Sequence, residues 1–260
     1  DEASVDGFTV SLENAVVADQ VSAVTDSGSS SASAAVLVSL DRAAGSSTMT
    51  ALRSYFVNNT SPSGSGALFL ESQGRALGGS RIMAVLDKSM FAANRGSDGG
   101  AVSVASFWEL VARGAFFAGN IASGAGGGVY STTVVTLEDT GLVYNNASSG
   151  AALFSRSVNS LFVLNRTVMD GNTAQVAGGV GSVQGRVRIV DGQIRGNFAP
   201  AGAQIYLSGQ DSSLTMLRTE VALSTGGSQI LGELPLHDPD WLSNNITCPE
   251  GSIYVAQDTT

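Results

Sequence analysis

Six asparagines recur along this chain at nearly constant intervals, and this repeat constrains the fold more than any other feature. The intervals are 35, 26, 26, 26 and 25 residues, between Asn59, Asn94, Asn120, Asn146, Asn172 and Asn197. Most of these asparagines follow an apolar residue by three positions and precede a run of Gly and Ala. A fixed period in the twenties indicates one supersecondary unit that is repeated and stacked.

Each unit contains three short β-rich runs separated by Gly, Asp, Asn or Ser, as in Gly128–Thr132, Val134–Leu137 and Gly141–Tyr144. Runs of this length bounded by turn residues indicate strands, and the chain shows no extended 3.6-residue period. Two degenerate copies, 24–38 and 217–231, flank the six units. We therefore predict an all-β parallel β-helix of about eight coils over residues 1–231, followed by a C-terminal cap or linker over 232–260.

Stacked coils place equivalent residues about 4.8 Å apart, so each repeated position becomes a column. The sequence predicts an internal apolar column of Phe56, Phe91, Phe117, Val143, Met169 and Ile194. The six asparagines would lie beside it and form a ladder of amide hydrogen bonds.

A second column is predicted seven residues before the asparagines, at an outward turn formed by Asp87, Arg113, Asp139, Asn165 and Asp191. Arg113 would then stack between Asp87 and Asp139. The longer first interval predicts an inserted loop at 73–79.

Composition excludes several function classes. Apolar residues make up 43% of the chain, charged residues 13%, and the net charge is −9. A core is therefore expected rather than disorder, and the negative field disfavours nucleic acid as a partner. No apolar stretch is long enough to span a membrane. The first residues lack the pattern of a signal peptide, which predicts a processed chain or part of a longer one.

Five N-x-Ser/Thr sequons begin at Asn58, Asn59, Asn146, Asn165 and Asn245. Such sites are used on secreted chains, so they predict a secreted or cell-surface glycoprotein. Asn59 and Asn146 belong to the inward column and are expected to be unmodified. Asn58, Asn165 and Asn245 are the glycosylation candidates. Cys248 is the only cysteine, which excludes a disulfide within the chain.

The paired motifs resemble the repeats of the chlamydial polymorphic outer membrane proteins and related surface proteins. The best matches are Phe91–Asn94 with Gly99–Val102, and Phe117–Asn120 with Gly126 and Gly127. The resemblance implies a right-handed parallel β-helix, of the pectin-lyase-like type, on a cell surface and used for adhesion or as a structural module. This chain departs from the family because it shows no outer-membrane barrel.

Catalytic patterns are weak. His237 is the only histidine and lies outside the repeats, which disfavours Ser-His-Asp, Cys-His and multi-histidine metal sites. Two carboxylate pairs are candidates for glycoside cleavage, Glu138 with Asp139 and Asp139 with Asp191, but the first two residues are consecutive and face opposite sides of a strand. Asp98, Asp139 and Asp191 could supply oxygen ligands to calcium, but the nonapeptide calcium repeat is missing. We expect no enzymatic activity, catalytic residue, cofactor or metal.

The predicted function is a non-enzymatic extracellular module for adhesion or for assembly of an appendage, wall or filament. Its partners would be other surface proteins or glycans, with N-linked glycans attached, and it would be part of a larger chain or assembly without spanning the membrane itself. The alternative is a carbohydrate-binding or polysaccharide-cleaving β-helix. An exposed aromatic row with clustered carboxylates would favour the alternative, and a long lateral contact face would favour assembly.

Overall fold

The computed structural model describes residues 9–21, 34–40, 46–72, 82–183, 185–208, 212–222 and 230–232. Several sequence predictions lie outside these residues: the 73–79 insertion, residues 233–260 of the predicted cap with Trp241 and Leu242, and the residues His237, Asn245 and Cys248.

The described residues form an all-β parallel solenoid without helices, which confirms the all-β, parallel part of the predicted fold. The chain passes through four sheets in turn and then returns to the first. Sheet 1 contains β1 (Thr9–Glu13), β4 (Ser47–Leu52), β7 (Ile82–Asp87), β11 (Trp108–Arg113), β15 (Val134–Glu138), β19 (Leu161–Asn165), β23 (Arg186–Val190) and β26 (Ser213–Leu217). Sheet 2 contains β2 (Val16–Ala18), β5 (Tyr55–Val57), β8 (Met90–Ala92), β12 (Phe116–Ala118), β16 (Gly141–Val143), β20 (Val168–Asp170), β24 (Gln193–Arg195) and β27 (Glu220–Val221).

Sheet 3 is shorter and contains β9 (Arg95–Gly96), β13 (Ile121–Ala122), β17 (Asn146–Ser149) and β21 (Thr173–Val176). Sheet 4 contains β3 (Val36–Leu40), β6 (Leu68–Ser72), β10 (Val102–Val104), β14 (Val129–Ser131), β18 (Leu153–Arg156), β22 (Val180–Val183), β25 (Ile205–Ser208) and β28 (Ile230–Gly232). Every described strand pair is parallel, so equivalent positions of successive coils lie side by side. None of these elements is a helix that could cross a membrane.

Side chains alternate between the interior and the surface along each strand. In β7, Ile82, Ala84 and Leu86 are buried and the residues between them face outward. The inward residues of sheets 1, 2 and 4 form one continuous apolar core. A separate column of alanines fills the narrow interior beside sheet 3: Ala122, Ala147, Ala151, Ala174 and Ala199.

The apolar column of sheet 2 contains a stack of three phenylalanines. Ring centroids lie 4.5 Å apart for Phe56 and Phe91, and 5.0 Å apart for Phe91 and Phe117. The next inward residue is Leu142, which is fully buried and pairs with Phe117. The predicted member Val143 was therefore wrong by one position, because it follows Leu142 in β16 and faces outward.

At two turns, equivalent residues of successive coils adopt left-handed backbone conformations with positive φ. Between sheets 1 and 2 one residue of each coil has φ between 46° and 57°: Asn14, Arg53, Lys88, Gly114, Asp139, Arg166, Asp191 and Arg218. Between sheets 2 and 3 the equivalent residues are Asp19, Asn58, Ala93, Gly119, Tyr144, Gly171 and Gly196. The first set is called the charged turn column below, since six of its members carry charges.

Candidate functional site

A ladder of asparagines runs through the interior between sheets 2 and 3. Its members are Asn59, Asn94, Asn120, Asn145, Asn172 and Asn197, and all are fully buried. The Nδ2 group of each donates to Oδ1 of the next, at 2.9 Å from Asn59 to Asn94 and at 2.7 Å from Asn172 to Asn197. The column therefore continues through six coils without a break.

Each ladder amide also fixes the turn of a neighbouring coil. Asn120 Oδ1 accepts the backbone N–H of Asn94 at 3.0 Å, and Asn120 Nδ2 donates to the carbonyl of Phe91 at 2.9 Å. Both hydrogens and both lone pairs of the amide are thus used, which is the condition for burying such a group without a desolvation cost. The ladder is a structural device that leaves no amide free to bind a ligand.

The ladder ends on a glutamine that the repeat pattern did not reveal. Asn197 Nδ2 donates to Gln204 Oε1 at 2.6 Å, and Gln204 Nε2 donates to the carbonyl of Ala222 at 2.8 Å. Gln204 comes from the corner before sheet 4, so its longer side chain reaches a position that an asparagine there could not.

Asn146 was predicted to belong to the ladder, and the structure corrects this to Asn145. Asn120 Nδ2 donates to Asn145 Oδ1 at 2.9 Å, whereas Asn146 is exposed in β17 between Ile121 and Thr173 of the adjacent coils. The physical reason is a change in the length of two connections, because the spacing between paired residues of these two coils rises from 26 at sheet 3 to 27 at sheet 4 and falls to 25 at sheet 1. The larger change is in the turn between sheets 4 and 1. That turn contains three residues after β10, two after β14 and four after β18, so the constant spacing of 26 fails at one coil.

The same register determines which sequon asparagines are buried and which are exposed. Asn59 is buried in the ladder, while Asn58 is exposed and donates to Asp19 Oδ1 at 2.7 Å. Asn165 is half-buried at the outer end of β19. Asn146, predicted to face inward and stay unmodified, faces solvent.

The predicted outward column divides into two neighbouring columns. Asp87, Arg113 and Asn165 do share one register, but Glu138 and Val190 occupy the positions predicted for Asp139 and Asp191. Asp139 and Asp191 lie one position later, in the charged turn column. Arg113 accordingly pairs with Glu138 at 3.0 Å, and the predicted stack of Arg113 between Asp87 and Asp139 was wrong.

The charged turn column alternates in sign over its last four coils. Arg166 donates to both carboxylate oxygens of Asp139, at 2.6 and 2.8 Å, and Arg218 makes the same two contacts to Asp191. These hydrogen bonds lower the pKa of both aspartates. Asp139 and Asp191 are thereby held ionised and paired with arginine, an arrangement unsuited to a proton donor in glycoside cleavage.

Metal ligation finds no support in the described part of the chain, where no three His, Cys, Asp or Glu side chains cluster. Asp98, the third calcium candidate, instead accepts the backbone N–H of Ala125 at 2.9 Å and braces the next coil.

The outer face of sheet 2 is apolar over five successive coils and at the first outward position of a sixth. Its first outward position is occupied in turn by Val16, Tyr55, Met90, Phe116, Gly141 and Val168. The second is occupied by Ala18, Val57, Ala92, Ala118 and Val143. We call this surface the apolar face; Val16 is 70% exposed, Tyr55 49% and Phe116 41%.

A charged border limits the apolar face at its C-terminal end. The second outward position becomes Asp170 and then Arg195, which form an ion pair at 3.0 Å. Gln193 and Glu220 continue the first position. The same sheet thus changes from an uncharged surface to a solvated one, although its inward residues stay apolar throughout.

A surface groove of about 470 Å³ lies on another side, where sheet 4 turns into sheet 1. It is lined by Phe107, Glu109, Thr133 and Asn159 among others, and Phe107 is exposed with φ of 65°. The adjacent Trp108 is fully buried, and its indole N–H donates to the carbonyl of Glu71. The groove therefore offers one exposed ring rather than an aromatic row.

Comparison with known proteins gave no match to a family model, a curated protein or a solved structure.

Proposed function

We propose that this chain is a right-handed β-helix of about eight coils that acts as a non-enzymatic, secreted or surface-exposed assembly module, and that its apolar face binds a second copy of itself. Three sheets of eight strands support the coil number. The resemblance of the repeats to polymorphic outer membrane proteins supports the handedness and the location. The observation that carries the function is the uncharged outer face of sheet 2.

This face is notable for its lack of charge. Each copy carries a net charge of −9, yet no charged side chain occupies either outward position of sheet 2 until Asp170. Contiguous exposed apolar surface of this extent marks interaction sites in soluble proteins. Contact through this face removes apolar area from water, and the one charged outward residue of these six strands is Asp170, on the last of them, where it pairs with Arg195.

The order of side chains favours an antiparallel pair related by a two-fold axis between Met90 and Phe116. In that arrangement Met90 faces Phe116 of the other copy, and Val16 faces Val168. Tyr55 lies opposite Gly141, whose outer side is covered by Phe116: a Cβ built on Gly141 would lie 2.6 Å from the Phe116 ring. A bulky residue therefore meets a flat aromatic surface, and the same patch serves both copies, as an isologous interface requires.

The area sets the strength of the contact. Six coils span about 24 Å, and two outward positions with their side chains are roughly 15 Å wide, which gives about 400 Å² per copy. A standard interface buries about 800 Å² per partner. We expect a weak dimer, with a dissociation constant of roughly 10 µM to 1 mM. Contacts of this strength hold an assembly together when many copies are displayed on one surface.

A charge pair placed across the predicted axis tests both the face and the orientation. Val16→Lys and Val168→Glu should each weaken dimerisation at least tenfold in sedimentation velocity, because each introduces one charge from each copy into an apolar contact. The double variant should recover most of the affinity, because the introduced ammonium and carboxylate meet across the antiparallel interface. Within one chain the two positions are about 24 Å apart and cannot pair.

Val85→Lys is the matched control, since Val85 faces outward on sheet 1 and the substitution should leave dimerisation unchanged. A wild type that stays monomeric at millimolar concentration contradicts the proposal. Failure of the double variant to recover, with both single variants weakened, contradicts the antiparallel orientation.

A further inference from the structure

We propose that Asn146 carries an N-linked glycan and that the exposed ring of Tyr144 packs against its first sugar. The inference rests on the secreted or surface location proposed above, but it concerns a different face of the molecule.

The register places Asn146 where a glycan fits. Its side chain is exposed in β17, and its neighbours in the adjacent coils are Ile121 and Thr173. The backbone of Asn146 is fixed, since its N–H donates to the carbonyl of Asn120 at 2.8 Å. Ser148, the third residue of the sequon, donates its hydroxyl to the carbonyl of Ser123. The attachment point is therefore rigid and open to solvent.

Tyr144 supplies an independent observation, because it is 71% exposed and yet held in place. It lies in the turn between sheets 2 and 3 with φ of 54°. Its ring covers Gly171 of the next coil, where an added Cβ would lie 2.5 Å from Cε1 of Tyr144. An exposed tyrosine held against a glycine presents a fixed apolar surface to whatever stands beside it.

Tyr144 and Asn146 are both exposed, and only the buried Asn145 separates them along the chain. Residues two apart lie within about 7 Å of each other. A sugar attached to Asn146 can therefore rest its apolar C–H face on the Tyr144 ring. The sequon at Asn58 lacks this platform, because the residue two before it is Phe56, which is fully buried.

Attachment is a group transfer from a lipid-linked oligosaccharide diphosphate. A bond forms between Nδ2 of Asn146 and the anomeric carbon of the sugar, while the bond from that carbon to the diphosphate oxygen breaks. The amide nitrogen loses one proton, which passes to a base of the transferring enzyme and then to solvent, and the diphosphate departs with the electron pair of the broken bond. Neither oxidation nor reduction takes place.

The test is a double-mutant cycle of Asn146→Gln and Tyr144→Ala on the full chain secreted from eukaryotic cells. Glycopeptide mass spectrometry should find sugar on Asn146 and Asn58 and none on Asn59. Asn146→Gln should lower the melting temperature by about 2–4 °C when Tyr144 is present. The same substitution should have no effect in the Tyr144→Ala background. The four chains made in bacteria, without glycans, should show no such coupling.

The outcomes separate this inference from the proposed function. An unmodified Asn146 beside a modified Asn58, or the same melting shift in both backgrounds, overturns the inference alone. Protein from its own cells that lacks sugar at both positions overturns the inference together with the proposed location. Dimerisation through the apolar face is measured on bacterial protein and is untouched by either result.

Discussion

At the scale of single residues, two adjacent asparagines have opposite roles. Asn145 accepts hydrogen bonds from both the backbone and the side chain of Asn120, and it donates to the carbonyl of Phe117 and to Asn172. Asn146 has an exposed side chain. Substituting each residue in turn therefore compares a buried asparagine with an exposed one at adjacent positions of the same chain.

Asn145→Ala should lower the free energy of unfolding by about 3 kcal/mol or more, because at least two buried polar groups lose their partner at about 1–3 kcal/mol each. In protein made in bacteria, which carries no glycan, Asn146→Ala should change it by no more than about 0.5 kcal/mol, as is usual for a surface position. Urea unfolding followed by circular dichroism measures both. Equal losses would contradict the ladder register.

The slip from Asn145 to Asn146 shows what a period can and cannot predict. The repeat predicted a ladder of amides and five of its six members, since the chemistry of stacking demands one residue type at one register. The sixth depended on a turn of two residues at Thr132 and Thr133, where the coils before and after have three and four. Nothing in the local residues gives that turn length, so a constant period moved the prediction by one position and reversed the side that Asn146 faces.

At the scale of an element, the charged turn column combines a backbone requirement with a charge pattern. Its residues adopt the left-handed conformation, which costs a non-glycine residue roughly 1–2 kcal/mol. Asp139, Arg166, Asp191 and Arg218 offset part of this cost with paired hydrogen bonds between coils. Exposed pairs of this kind are individually weak.

The pH dependence of this column follows from the direction of its pKa shifts. Arginine lowers the pKa of Asp139 and Asp191 in the folded state, so the unfolded chain binds these protons more tightly. Their contribution is fully present above the ordinary aspartate pKa of 3.8 and is lost as the pH falls through the lower folded value. Asp139→Asn with Asp191→Asn should lower the melting temperature slightly at pH 7. The difference from wild type should close below about pH 4.

Thermal denaturation between pH 7 and pH 3 measures this closing difference. In 0.5 M salt the gap at pH 7 should shrink, because exposed charges are screened over a few ångströms. A gap that widens on acidification would contradict the sign of the shifts.

The strands of sheet 2 show why the apolar face could not be read from the sequence. Most of them are three residues long, so each offers only two outward positions and too few residues for an alternating pattern. Met90 and Phe116 adjoin the inward Phe91 and Phe117, and each pair reads simply as apolar. Only the strand pairing between coils shows that Met90 and Phe116 face outward while Phe91 and Phe117 face inward. It also shows that the outward residues of six coils align.

At the scale of the whole molecule, the buried polar groups of each coil form their hydrogen bonds largely with the neighbouring coils. The described residues contain no buried side-chain nitrogen or oxygen without a hydrogen-bond partner. Stability in such arrays is close to a sum of unit and nearest-neighbour terms. The lateral faces are then free to differ, and here they do: sheet 2 is apolar, the charged turn column is ionic, and the corner at Asn146 is polar.

This separation of faces predicts how self-association responds to salt. Each copy carries a net charge of −9, so copies repel one another at low ionic strength, while the contact through the apolar face contains no ion pair. Raising the salt from about 20 mM to 500 mM shortens the Debye length from about 20 Å to about 4 Å. Dimerisation should therefore tighten several-fold in sedimentation velocity. A contact built on the border pair of Asp170 and Arg195 would behave in the opposite way and weaken with salt. Weakening would thus exclude the apolar face as the interface and place it at the charged end of sheet 2.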